Sequence, residues 1–484
     1  MTQSARRTIK AGSGELTYQA QVEEFTVDDS NGQPAARIVC TTYLRTEDAI
    51  ERDERPVLFA FNGGPGSSSV WLHLGIGPRR VADADSLTPR STPPYTLVDN
   101  NETVLDAADL VFIDPPGTGY SRVLSPDQET DFYCTDGDAR AMIRLISAWC
   151  RKHRRENSPR FLLGESYGTT RAAAMARMLP GGPFSTGSLG TTALSGVILL
   201  AAAFRNPVGD EAHAATLPTY AATAWYHDRL PERPGSLETH MAWARRFAQQ
   251  DYLPALFAGT GLPQQRRSEI AQTLHQLTGI PTETLIRHQL RLEPPQFARL
   301  LLADDDRQIG GYDTRFTLPI TGAGQDPVAD DPAMGQYVGM FSGALVPYLR
   351  DELGAGYDTD YRPIEWARVN LRWDHGSGPG VPPASDTLVP DIAAALRRDP
   401  QFRVLFCQGY YDLVTTFGAL EHAVTRMPLD EKRVQVQYYE SGHMPYLGQL
   451  SREQMATDIR RFLARDADAC DLEQPPGRPK ENLS

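Results

Sequence analysis

Cysteine is scarce in this chain of 484 residues: Cys40, Cys134, Cys150, Cys407 and Cys470 stand far apart, odd in number and without a C-x-x-C pair. That spacing offers neither a disulfide framework nor a tetrahedral zinc site, and it fits a reducing compartment. Positive charge is also in deficit, with 48 Lys and Arg against 61 Asp and Glu and a formal net charge of −13. Such a surface repels phosphate backbones and anionic lipid, which argues against nucleic acid or a membrane as the main partner. Long hydrophobic runs are missing too. The strongest, residues 196–204, falls far short of the ~20 apolar residues of a bilayer-spanning helix and reads as a buried strand. Residues 1–20 carry Arg6, Arg7 and Lys10 but no apolar stretch of secretory-signal length, so the expected location is cytoplasmic.

What is present describes an ordinary globular protein, 40% hydrophobic and 23% charged. Length alone suggests about three domains, but a large α/β core with an insertion fits equally. Short β-branched and apolar runs bounded by glycine or proline recur at 56–61, 110–113, 160–163 and 197–202, with a helical pattern over 135–153 between them. Strands alternating with helices predict a mixed, mostly parallel central sheet flanked by helices. Segments 16–21, 21–27 and 36–44 alternate more and read as antiparallel edge strands. After residue 206 the pattern turns helical, clearest at 241–250 and 268–277, and 303–384 is irregular and rich in Asp, Gly and Pro. Runs at 403–407 and 434–439 restore the sheet signal, and 454–463 reads as a closing helix. The expected organisation is a core of 15–206 and 385–465, a largely helical cap insertion of 207–384, and loose tails at 1–14 and 466–484.

Chemistry gathers at separated segments. Gly164-Glu165-Ser166-Tyr167-Gly168 is a G-x-S-x-G motif preceded by a strand-like run and followed by an alanine-rich helical one. A strand–turn–helix elbow lifts its serine to the sheet edge above a helix N-terminus, so Ser166 is the candidate nucleophile. A hydroxyl needs a base, a group orienting that base, and donors for the oxyanion. His443, after the run 434–439 and preceded by Gly442, is the candidate base; His73, His375 and His422 are its rivals. Asp412, just past the run 403–407, is the candidate orienting acid, and the order Ser, Asp, His is that of α/β-hydrolases. Asp114 precedes the nucleophile and reads as a site-wall or turn residue. Asn62-Gly63-Gly64-Pro65-Gly66 follows another strand, and no Lys-Ser/Thr or G-x-G-x-x-G makes it a phosphate loop. The expected oxyanion donors are the amides of Gly64 and Tyr167, each worth ~3 kcal/mol in the transition state. No metal or other cofactor is implied.

These blocks, with 111–121, 409–412 and 442–444, resemble the serine carboxypeptidase family and its bacterial members in particular. The resemblance implies release of a C-terminal residue by a Ser166-Asp412-His443 triad, with Asn62, Gly63 and Glu165 gripping the substrate carboxylate. Glu165 would then be protonated, which favours binding in acid. Three positions depart from the family pattern. Ala60 stands where a tryptophan is usual, residues 71–78 hold no glutamate, and Ser67 replaces the cysteine of many secreted members. A second expectation is therefore an acyltransferase, esterase or amidase acting on a specialised metabolite, and a third is a non-catalytic binding protein that retains the fold. A peptide or small acyl group is the expected partner, and the oligomeric state is left open, a homodimer being one option.

Overall fold

The computed structural model describes residues 5–12, 14–29, 32–46, 52–90, 92–179, 193–204, 208–324, 326–376, 388–426 and 432–464. Its strands are, in chain order, β1 (Ala5–Ala11), β2 (Gly14–Asp28), β3 (Pro34–Arg45), β4 (Val57–Phe61), β5 (Arg79–Val81), β6 (Leu97–Asp99), β7 (Asp109–Ile113), β8 (Arg122–Val123), β9 (Arg160–Glu165), β10 (Gly196–Leu200), β11 (Arg307–Ile309), β12 (Thr317–Pro319), β13 (Arg403–Gly409) and β14 (Val434–Tyr439). One sheet runs β1-β2-β3-β7-β4-β9-β10-β13-β14, with β8 laid on β3. Pairing is antiparallel from β1 to β7 and parallel from β7 to β14.

Every residue of β4, β7, β9 and β10 is buried, as strands covered on both faces require. Their two-residue period splits them between two cores. Leu58 and Ala60 of β4 face one layer, which includes parts of helices Val70–Ile76, Met334–Pro347 and Gln449–Leu463. Val57, Phe59 and Phe61 face the other, with helices Thr135–His153, Tyr167–Met178 and Leu388–Arg398. All parallel strands end on one edge, where the connections that carry the chemistry begin.

Three expectations need correction. Residues 5–11, read as part of a loose tail, form β1 and pair with β2 along their whole length. Only Ile9 and Ala11 in that stretch are apolar and buried, too weak a signal alone, and Arg7 adds an ion pair to Glu352 at 2.7 Å. The segments 16–21 and 21–27 are one strand of 15 residues, β2. Region 303–384 is less irregular than it reads, since it contains helix Met334–Pro347. Gly335, Gly339 and Gly343 weaken helix propensity there, and burial of Tyr337, Met340, Phe341 and Leu345 against the sheet's core overrides it. This helix therefore packs with the hydrolase core, whereas helices between 210 and 300 enclose a small core of their own around Leu217, Leu256, Leu274 and Phe297. The expected boundaries near 207 and 384, and the tail 466–484, lie outside the described residues.

Candidate active site

The elbow is dictated locally. β9 ends at Glu165 and helix Tyr167–Met178 begins two residues on, so Ser166 alone must turn the chain, with φ 57° and ψ −129°. A β-carbon on Gly164 would strike the Gly168 carbonyl, and one on Gly168 would lie 2.8 Å from the Phe61 carbonyl, so both flanking glycines are required sterically. Ser166 N–H donates to the Leu200 carbonyl at 3.0 Å and ties the elbow to β10. Ser166 stays half-buried while Glu165 and Tyr167 are buried on either side.

Asp412 follows β13 and His443 follows β14, on the same sheet edge. Tyr410 N–H donates to the Tyr439 carbonyl at 2.9 Å and Tyr411 N–H to the Ser441 carbonyl at 3.0 Å, which knits the two loops together. His443 Nδ1 and Asp412 Oδ2 are 2.8 Å apart. An ionised carboxylate only accepts, so the proton sits on Nδ1 and leaves Nε2 free as an acceptor, the tautomer a general base needs. Asp412 is fully buried, and its charge is met by Val414 N–H (2.8 Å), Thr415 N–H (2.9 Å), Thr415 Oγ1 (2.6 Å) and Gln408 Nε2 (3.3 Å). Burial pushes the His443 imidazole down, but the charge and hydrogen bond of Asp412 outweigh it and hold the group above its ordinary value.

Next to the elbow lies the loop after β4. Ser67 N–H donates to the Gly63 carbonyl at 3.0 Å. Because the carbonyl and N–H of a trans peptide point opposite ways, the Gly64 N–H faces the other side. A β-carbon on Gly63 would strike Tyr167 N and lie 2.6 Å from the Glu165 carbonyl, so the loop passes directly against the first amide of the nucleophile helix. That amide opens a helix and has no intrahelical partner. Asn62 is buried, accepting Leu72 N–H at 3.1 Å, and its side chain also reaches Glu165. Tyr446 Oη donates to Glu165 Oε2 at 2.7 Å. Burial lifts the Glu165 carboxyl to about 7, against the opposing pull of His443, Tyr446 and Asn62. Near neutrality this acid can therefore hold a proton.

Of the rivals, His73 and His422 are engaged away from the elbow. His73 is buried in helix Val70–Ile76, 2.6 Å from Tyr43 Oη and stacked on Phe112, and desolvation drives it down to about 3. His422 lies on helix Phe417–Thr425, 3.6 Å from Glu211. His375 stands edge-on to the Tyr167 ring. Asp114 ties loops together: it accepts Ser69 N–H and Tyr120 N–H at 2.9 and 3.4 Å and Tyr361 Oη at 3.2 Å. Sequence reasoning missed Thr415, Gln408 and Tyr446, whose position three residues after His443 was the one available signal. It also missed Tyr312, whose carbonyl accepts His443 N–H at 2.7 Å and whose ring meets the imidazole at 89°. No cluster of His, Cys, Asp and Glu able to hold a metal occurs among the described residues, and none of their helices is long and apolar enough to cross a membrane.

The sheet order, the elbow and the loops beyond β13 and β14 define an α/β-hydrolase fold. A solved prohormone-processing carboxypeptidase from Saccharomyces cerevisiae shares it, with a TM-score of 0.54 at 14% identity over 92% of this chain and 90% of that one. A proline iminopeptidase from Mycobacterium smegmatis aligns over 95% and 97% of the two chains at 15% identity, with a TM-score of 0.33. No curated protein matches the chain in sequence. Residues 41–233 match the model of the serine carboxypeptidase family, so the recognition drawn from the motifs holds. That segment contains the loop at Asn62, the elbow at Ser166 and the residues between; Asp412 and His443 lie beyond it. The partial match to the family model and the fold are consistent with a peptidase or other hydrolase.

Proposed function

We propose that the protein is a cofactor-free serine carboxypeptidase. Ser166 Oγ attacks the carbonyl of the last peptide bond while His443 Nε2 takes its proton. The tetrahedral oxyanion is held by the N–H groups of Gly64 and Tyr167. His443 then gives the proton to the leaving amine, and water, activated by the same imidazole, releases the acyl group from Ser166. Asp412 keeps the base in its tautomer and stabilises the imidazolium. The observation that carries the exopeptidase half is the buried cluster of Asn62, Glu165 and Tyr446 beside the elbow. A carboxyl lifted to about 7 can donate a hydrogen bond to a substrate carboxylate instead of repelling it.

A second reading, an acyltransferase, esterase or amidase, draws support from helix Val70–Ile76. All seven of its residues are buried and none is acidic, and its one titratable group, His73, is bonded to Tyr43. That helix brings no second carboxyl to the site. The two readings separate with one hexapeptide offered as free acid and as C-terminal amide. A carboxypeptidase trims the acid and spares the amide; equal turnover of both sinks the carboxylate-reading role and leaves the second reading.

A further inference from the structure

Arg171 is fully buried in helix Tyr167–Met178, one turn past Tyr167 and on the same face, and the reaction as written makes no use of it. Its Nε donates to Asp138 Oδ2 at 2.5 Å and its Nη1 to the Asn62 carbonyl at 2.6 Å. The guanidinium carbon lies 5.3 Å from the ring centroids of both Phe61 and Tyr167. Asp138, on helix Thr135–His153, is equally buried. Arg171 Nη2 and Asp138 Oδ1 have no partner among the described residues. A buried ion pair with an orphan atom on each side is a poor source of stability, because desolvating the charges consumes most of what their attraction returns. What it fixes is geometry. The cation reaches the last residue of β4, the carbonyl that begins the Asn62–Gly66 loop, and the ring of the residue whose amide opens the nucleophile helix.

We propose that Arg171, backed by Asp138, is a positioning residue that sets the spacing between the Gly64 and Tyr167 amides and so shapes the oxyanion site. The inference rests on the serine hydrolase reading of Ser166. Arg171 restrains the Asn62–Gly63 peptide from below, and the Ser67-to-Gly63 hydrogen bond restrains the Gly63–Gly64 peptide from the other side. Without the guanidinium the first peptide plane can rotate, and the Gly64 N–H loses its aim at the oxygen.

The test is the second-order rate at which an alkyl fluorophosphonate labels the protein. The Ser166 oxygen bonds to phosphorus, fluoride leaves, the hydroxyl proton passes to His443, and the phosphoryl oxygen sits where an oxyanion would. Arg171→Met combined with Asp138→Leu removes both charges, leaves no ion unpaired, and should melt close to wild type. Labelling is expected to fall about 10- to 100-fold, up to the lower end of the ~10²–10³-fold loss that removing one oxyanion donor outright causes, because the Gly64 donor is misaimed and not deleted. With a p-nitrophenyl ester the same variant should lose kcat at unchanged KM, a split that a merely structural pair would not produce. Should the double variant fail to fold, Arg171→Lys decides, with labelling slowed about tenfold in a folded protein. A folded variant that labels within twofold of wild type overturns the inference. Wild type that is not labelled takes down the serine hydrolase reading and the inference with it.

Discussion

Replacing Glu165 with Gln keeps the shape of the side chain and removes its proton, so it isolates what that proton does. Burial raises the carboxyl from 4.5 to about 7, which corresponds to roughly 3 kcal/mol against ionisation in the folded state. The folded protein thus binds this proton more tightly than the unfolded chain does. The stabilisation is fully present below pH 4.5 and is lost as pH rises through about 7. In Glu165→Gln that pH dependence disappears, and urea titrations at pH 5 and pH 8 should show the variant losing roughly 2 kcal/mol less than wild type between them, part of the difference having already gone by pH 5. Binding follows the same logic. If the protonated carboxyl donates to the substrate carboxylate, KM for a free-acid peptide in wild type is flat below pH 7 and rises about tenfold per pH unit above it. Gln donates at every pH, so its profile stays flat to pH 9, while KM for an amide or ester is indifferent to the substitution. Initial rates on a free-acid and ester pair between pH 5 and 9 decide the matter. A free-acid KM that rises equally in wild type and Glu165→Gln would refute the assignment of a proton to this site.

Other consequences are sharper but less selective. Asp412→Asn leaves packing in place and inverts the hydrogen bond that fixes the His443 tautomer, so kcat should drop about 10⁴-fold with little change in Tm. Gly63→Ala drives a methyl group into Tyr167 N and the Glu165 carbonyl, all backbone that cannot step aside. It should cost about 1–3 kcal/mol of stability by urea titration and at least 10²-fold in kcat, because the clash opens the oxyanion site.

The central fold was legible because its buried strands are unambiguous. Phe161, Leu162 and Leu163 between Arg160 and Gly164, or Val197 to Leu200 after Gly196, admit few other readings, and β14 occupies the residues its pattern predicts. The candidates Ser166, Asp412 and His443 were placed for a related reason: each was read as following a strand, and β9, β13 and the half-buried β14 do end on one sheet edge. Residues that act through space left little trace in the sequence. Thr415 meets Asp412 from within a turn, and Tyr312 reaches His443 from a segment more than a hundred residues away. Arg171 drew no notice in the sequence, because Asp138 and the Asn62 carbonyl that engage it come from distant segments. Helix Met334–Pro347 was hidden by its glycines because burial, which local pattern does not encode, stabilises it.

Every role proposed for the site depends on Ser166 being the nucleophile. Fluorophosphonate treatment of wild type and Ser166→Ala, followed by intact-mass measurement and peptide mapping, tests this directly. One adduct per chain, located at Ser166 and absent from a folded Ser166→Ala, is the expected result. An adduct on another residue, or its persistence in the alanine variant, would contradict the account.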